Sequence, residues 1–334
     1  MRILLVADTH IGFDLPLKPR ITRRRRGHDF LANFRRALEP ARQGQVDLVV
    51  HGGDLLFRSL VPPGTVEMAM EPLVEIASAG VPVYLVPGNH ERSKIPLHLW
   101  AGHPEIHIFD RPRTYRRQVG GQSIALSGFP YVRDIRQRFQ SVVEASGYRP
   151  ASADVSILCM HQAVEGARVG PGHFTFSSGR DVVRGRDIDA GLDAVFTGHI
   201  HRAQCLRRDR TGQALAAPVI YPGSVERTSW AERDEPKGYC IVTIDKTTDP
   251  SPDLQWVKLP ARPMVDVKVT SVPQREALEA SLRSQLSQLQ DDAVVRVHLE
   301  GAWSKGAQMA LAAQNLRRLA PATMNISLHP QSAA

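Results

Sequence analysis

Five short apolar runs constrain this chain more than any other feature. They are "RILLVADTH" (2–10), "VDLVVHGGD" (46–54), "VPVYLVPGNH" (81–90), "VSILCMHQ" (155–162) and "LDAVFTGHIH" (192–201). Each passes from aliphatic residues straight into a polar cluster of Gly, His, Asp or Asn. Runs this short and rich in Val, Ile and Leu read as buried strands. Between the first three lie helix-like stretches, "DFLANFRRALEPAR" (29–42) and "TVEMAMEPLVEIASAG" (65–80), the second closed by Gly80. Strand–helix–strand alternation predicts an α/β core. "SIALSGF" (123–129) and "YCIVTI" (239–244) read as further strands. In such sheets the ligand crevice lies beyond the carboxyl ends of the strands, which is where all five polar clusters stand.

The residues collected at those ends are Asp8, His10, Asp54, Asn89, His90, His161, His199 and His201. Taken singly they say little: D-x-H occurs by chance, Asn89 can simply turn the chain, and His161 can be a satisfied core histidine. Together they supply carboxylate, imidazole and amide donors. Such mixed sets suit Mn, Fe or Zn, whereas Mg and Ca favour oxygen shells. There are too many donors for one ion. Two ions roughly 3.5–4 Å apart, bridged by one carboxylate and a hydroxide, would use them all. The remaining histidines, His28, His51, His98, His103, His107, His298 and His329, read as ordinary structural residues. His173, in the Gly-rich "GPGHFTF", is read the same way.

Charge points to a polyanion. Lys and Arg number 42 against 34 Asp and Glu, a formal net charge of +8. Arginine clusters at "KPRITRRRRGHDF" (18–30), "RPRTYRR" (111–117) and "RDIRQRF" (133–139). Any one of these is most simply a solvated face, but together they favour nucleic acid, whose phosphates suit the guanidinium fork. Arg23, Arg24, Arg25 and Arg26 are the candidate backbone contacts. No run of about 18 apolar residues suggests a membrane span. The opening residues are too soon interrupted by Asp8 to read as a signal peptide. Three scattered cysteines without a CxxC fit a reducing cytoplasm.

Near residue 260 the character changes. "KLPARP" (258–263) reads as a linker between a domain of residues 1–260 and a module of residues 261–334. The module reads strand ("MVDVKVT"), helix ("QREALEASLRSQLSQLQ"), strand ("AVVRVHLEG"), helix ("AQMALAAQNLRRLA"), strand ("NISLHP"), a small α+β unit. It has no concentration of His, Asp or Cys and is assigned no chemistry.

The ordered set D-x-H, G-G-D, G-N-H, M-H and G-H-x-H resembles the five motifs of the calcineurin-like metallophosphoesterase superfamily. Within it, "ADTHIGF" (7–13) and "VIYPGSVERTSWAERDEPKGYCIV" (219–242) are similar to DNA-repair nucleases of the SbcD (Mre-eleven) type. The resemblance spans residues 1 to about 260 and likens the C-terminal module to a capping domain. It implies a two-sheet sandwich flanked by helices and a metal-dependent DNA exonuclease or endonuclease. It implies one ion, Mn by preference, on Asp8, His10, Asp54 and His201, and a second on Asp54, Asn89, His161 and His199. Asp54 is then the bridge, and His90 faces the scissile phosphate. A homodimer and an SbcC-type (Rad-fifty-like) ATPase partner are compatible with it, although no extended helical segment for that ATPase is evident. The chain departs from the pattern at Phe57, where such nucleases often carry His, and at Glu91, where many have Asp.

Other readings share the metal core: a phosphomonoesterase, a Ser/Thr protein phosphatase or a cyclic-nucleotide phosphodiesterase. Against the protein phosphatase, "GGDLLFRS" (52–59) lacks the D-R-G continuation. Two further readings are a nuclease subunit inert without its ATPase and a binding scaffold with a dead metal site. The second of these conflicts with a ligand set from which nothing is missing.

Overall fold

Alternate side chains along Arg2–Val6 face two different cores, so the strand must be covered on both sides. In the computed structural model Ile3 and Leu5 enter one apolar cluster while Leu4 and Val6 enter another. That is why the run reads as continuously apolar: a strand in a parallel sheet covered on both faces has no solvent side. The structure describes residues 1–18, 23–91, 102–150, 152–246, 249–272, 274–301 and 304–329. His98 and residues 19–22 of the first basic cluster lie outside them.

The chain divides into two compact units, one of Met1–Leu17 and Asp29–Pro260, the other of Lys18–His28 and Ala261–Ala334. The larger contains two six-stranded sheets. The first runs, in spatial order, Asp249–Lys258, Gly238–Asp245, Arg2–Val6, Leu48–His51, Val83–Leu85 and Ile106–Ile108. Its last four strands are parallel. The second runs Gln204–Arg208, Ala214–Tyr221, Ala194–Thr197, Val155–Met160, Gln122–Gly128 and Arg113–Val119. Its four central strands are parallel, with an antiparallel strand at each edge.

Ile3, Leu5, Val50 and Tyr84 from the first sheet pack with Leu126, Ile157, Phe196 and Ile220 from the second, forming the central layer of a sandwich. Outside the first sheet, Phe30 and Phe34 of the helix Gly27–Ala37 and Met70 and Leu73 of Pro63–Ser78 cover Leu4, Val6 and Val49. Outside the second, Ile135, Phe139 and Val142 of the helix Ile135–Ala145 cover Leu158, Met160 and Val195. The expected two-sheet sandwich flanked by helices is the observed architecture.

Two of the arginine-rich stretches are structural elements. Arg113–Val119 is an edge strand in which Arg113 pairs with Asp110 at 2.6 Å and Arg117 with Glu105 at 2.6 Å. In the helix Ile135–Ala145, Arg136 pairs with Glu165 at 2.8 Å.

In the smaller unit Met264–Thr270, Val294–Glu300 and Asn325–Leu328 form a three-stranded parallel sheet. Leu278 and Leu282 of the helix Arg275–Leu286, with Ala310 and Leu316, pack on Val267, Val269 and Val295. The single helix expected over 307–320 is instead two, Lys305–Leu311 and Ala313–Leu319, separated by Ala312 with extended backbone angles. The Asn315 side chain donates to the Ala310 carbonyl at 2.7 Å, taking an acceptor that a continuous helix would have used internally.

Lys18–His28 joins this unit although it lies far away in sequence. The Arg23 guanidinium explains why. It donates to the carbonyls of Arg317 (2.8 Å), Met324 (2.9 Å) and Ala320 (3.3 Å), and to that of Pro321. Asn325 Nδ2 also donates to the Arg24 carbonyl at 3.1 Å. Arg23 thus ties the segment down, and this corrects its expected part in gripping phosphate: its donors face main-chain oxygens.

Candidate metal centre

Strand register brings the polar clusters together. Val6 pairs with His51, His51 with Leu85, and Met160 with Thr197, so the parallel strands of each sheet finish level. Asp8 and His10 follow the first strand, Asp54 the second, Asn89 and His90 the third, and His161, His199 and His201 the two strands of the other sheet.

The turns holding these residues have unusual backbones. Asp8 (φ 52°), His10 (45°), Asp54 (52°) and His199 (78°) are all left-handed. Asp and His tolerate this region better than most non-glycine residues, and its concentration here marks a site held by its surroundings. The holding bonds connect one turn to the next. Asp8 N–H donates to Gly53 O at 2.9 Å and His10 N–H to Asp54 O at 3.0 Å. His199 N–H donates to Asp8 Oδ1 at 3.1 Å, and His90 N–H to Asp54 Oδ1 at 3.0 Å. Gly88 permits a close approach, since a Cβ there would collide with the Asp54 carboxylate and amide.

Three overlapping groups of ligand atoms each lie within 4.8 Å of one another: Asp8, His10 and His201; His10, Asp54 and His90; Asp8, Asp54 and His161. The Nε2 atoms of His10 and His201 are 3.0 Å apart. On the other side, Asn89 Oδ1 is 2.9 Å from His199 Nδ1 and 3.2 Å from His161 Nε2. Asp54 Oδ2 is 3.4 Å from His161 Nε2 and 3.8 Å from His90 Nε2. The structure therefore brings all eight strand-end residues into one cluster. Arg23–Arg26 belong to the other unit.

The chemistry of the cluster fits divalent cations. Asp8 Oδ2 is buried with no hydrogen-bond partner among the described residues, a cost that a cation would remove. Burial, then the neighbouring His201, drives the pKa of His10 well below its usual value. Burial and His161 take His199 down to about 3, so both rings are neutral and available as donors. Burial raises the Asp8 pKa, against the pull of His161 and His201. Burial also works against the Asp54 charge, but His161 and the surrounding imidazoles outweigh it and hold the carboxyl below its usual range.

Several residues around the centre carried no assigned role in the sequence. Glu91, singled out only as a departure, accepts from the N–H groups of Gly88 (2.7 Å), Leu56 (2.7 Å) and Asp54 (3.1 Å), binding two ligand turns together. Burial, then the Asp54 charge, raises its pKa to about 8 against two of those bonds. Phe57 meets the His90 ring edge-on at 6.1 Å and the His10 ring at 6.2 Å. Tyr131 lies 5.7 Å from the His199 ring. Glu232 accepts from His201, and no periodicity or ligand spacing could have found it. His51, read as structural, is buried and bonded to Thr9 Oγ1 at 3.1 Å.

Residues 1–203 match the family described as calcineurin-like phosphoesterase. Among curated proteins, a "DNA double-strand break repair protein Mre11" of Haloferax volcanii is 29% identical over 313 residues, covering 90% of this chain and 61% of that protein. A protein of the same name from Archaeoglobus fulgidus is 27% identical over 309 residues, covering 80% and 61%. The chain therefore spans about six-tenths of the length of these relatives. A solved dimetal phosphatase from Danio rerio aligns at 12% identity with a TM-score of 0.45, covering 73% of this chain and 93% of that one.

Proposed function

The chain belongs to the calcineurin-like phosphoesterase family, and on that premise we propose that it is a two-metal phosphodiesterase that cuts DNA during repair or processing. One observation carries the reading: Asp54 lies within ligand distance both of His10 and Asp8 and of His161, so its carboxylate adjoins donors of both proposed sets. Asp8, His10, Asp54 and His201 would hold one ion, and Asp54, Asn89, His161 and His199 the other. Bound there, two divalent ions supply hydroxide at neutral pH and neutralise charge on the phosphate oxygens. The nitrogen-rich donor set favours Mn, Fe or Zn over Mg, and Mn is the proposed metal.

The protein's own groups do the rest. Asp54 fixes the spacing of the two sets, and Glu91 fixes Asp54 by holding its turn. His90, whose side chain is 30% exposed, protonates the leaving oxygen or stabilises its charge. General-acid assistance of that kind contributes roughly 10²–10⁴-fold. Arg24, Arg25 and Arg26 contact the phosphate backbone without reading sequence.

The choice of DNA rests on the basic composition and on the printed names of the relatives. A homodimer and an SbcC-type ATPase partner belong to the same proposal. The cysteines Cys159, Cys205 and Cys240 are unpaired, which fits a cytoplasmic setting. Among the described residues no helix is long and apolar enough to cross a membrane.

The test is hydrolysis with Mn²⁺ of bis-p-nitrophenyl phosphate against p-nitrophenyl phosphate, followed by defined single- and double-stranded DNA and matched RNA. Preference for the diester and cleavage of DNA are expected. Hydrolysis of the monoester alone would make the protein a phosphatase.

A further inference from the structure

A bare imidazole binds a cation through one nitrogen only if the other keeps its proton, so what stands behind each ring matters. Behind His161, Nδ1 donates to the Gly52 carbonyl at 2.7 Å. His10 Nδ1 is buried with no hydrogen-bond partner among the described residues. His199 turns Nδ1 itself toward Asn89. His201 differs from all three: its Nδ1 lies 3.2 Å from Glu232 Oε1, while its Nε2 faces His10.

Glu232 is itself held from several sides. Its side chain is only 11% exposed, and Lys237, whose side chain has no exposure, donates to its Oε2 at 2.6 Å. The hydroxyls of Thr228 (2.7 Å) and Ser229 (3.1 Å) donate to Oε1. Lys237 also donates to the His201 carbonyl at 3.1 Å, gripping the same residue by its backbone. A buried carboxylate with a buried ammonium and two hydroxyls stays ionised and stays in place. All these residues lie in the stretch "RTSWAERDEPK" (227–237), for which the metal reading has no use.

We propose that Glu232 is a positioning residue for His201, fixing the Nδ1–H tautomer so that Nε2 is presented bare to the metal site, and that Lys237 locks Glu232 in that role. Thr228 Oγ1, 3.3 Å from His201 Nδ1, has given its hydrogen to Glu232 and can only accept, which favours the same tautomer. The inference rests on His201 being a metal ligand, but the tautomer exists without metal and can be read separately.

The experiment uses the full chain, ¹⁵N-labelled at histidine, with His201 assigned by the loss of its signals in His201→Gln. In metal-free protein held at a pH alkaline enough to leave the His201 ring neutral, His201 is expected to show protonated Nδ1 and unprotonated Nε2 in the wild type. Glu232→Ala should lose that preference, and its affinity for Mn²⁺ at one of two sites, measured by calorimetry, should fall by about 10–100-fold, the usual effect of removing an outer-shell partner. Glu232→Gln keeps an acceptor oxygen and should restore most of both. Ser229→Ala, which removes a bond to Glu232 but not the acceptor, should change neither. A wild-type His201 protonated at Nε2 with bare Nδ1 would overturn the proposal without any variant. So would a folded Glu232→Ala protein that keeps the tautomer and the Mn²⁺ affinity. A wild type that shows the expected tautomer but binds no Mn²⁺ would support the positioning and contradict the metal reading instead.

Discussion

His10 and His201 come from turns 191 residues apart, yet their Nε2 atoms face each other at 3.0 Å. Two imidazole lone pairs cannot share that space without a proton or a cation between them. Stripping the protein with a chelator should therefore leave it folded but less stable and inactive. Restoring Mn²⁺ to 100 times its Kd should add about 2.7 kcal/mol per site, read as a raised Tm. An unchanged Tm over a wide Mn²⁺ range would show that the cluster holds no ion.

Loading should also depend on pH, through His161. Burial opposes its charge, but the Asp54 carboxylate at 3.4 Å and the Asp8 charge outweigh burial and raise its pKa to about 9. The metal-free protein at pH 7 thus holds a proton on His161 that a ligand must lose. Mn²⁺ affinity should rise from pH 7 toward pH 9 and level off above. Calorimetry at pH 7 in buffers of different ionisation enthalpy should show proton release on loading. Equal heats in all buffers would mean His161 is already neutral.

Much of this centre was legible because parallel strands end level. A residue two places beyond Val6 and one three places beyond His51 must be neighbours once those strands pair, so motif order alone gathered Asp8, Asp54 and Asn89. The edge strands Arg113–Val119, Gln204–Arg208 and Asp249–Lys258 were not legible. Their polar residues satisfy neither a buried-strand nor a clean alternating pattern. Nor could local pattern join Arg23 to carbonyls roughly 300 residues away, a contact created by tertiary packing. Glu232 escaped for the same reason: its partner, His201, is 31 positions distant on a different turn.

Asn89 and His90 are adjacent in sequence but are expected to fail differently. Asn89 Oδ1 meets both His161 and His199, so Asn89→Ala should weaken one Mn²⁺ site and recover partly at high Mn²⁺. His90→Ala should retain its metal, lose roughly 10²–10⁴-fold on DNA, and lose less on a nitrophenyl ester, whose leaving group needs little protonation. Metal loss in His90→Ala would make His90 a ligand, as its nearness to Asp54 permits. Equal loss on both substrates with metal retained would leave electrostatic stabilisation as its role.

The basic run should separate in the same way. Arg23→Ala orphans several main-chain acceptors and should destabilise the smaller unit by about 1–3 kcal/mol, measured by denaturant unfolding. Replacing Arg24, Arg25 and Arg26 should flatten the log K versus log salt slope on duplex DNA by about 0.9 per lost phosphate contact. An unchanged slope would make these three arginines a solvated face.

The central claim, two cations joined through Asp54, is tested most directly by adding Mn²⁺ stepwise to stripped protein while following bis-p-nitrophenyl phosphate hydrolysis and bound metal together. Activity should stay low through the first equivalent and saturate at two per chain. Asp54→Asn should fail to retain the pair and lose more than the roughly 10–100-fold typical of outer-shell changes. Full activity at one tightly bound Mn²⁺ per chain, or an active Asp54→Asn protein, would contradict the account.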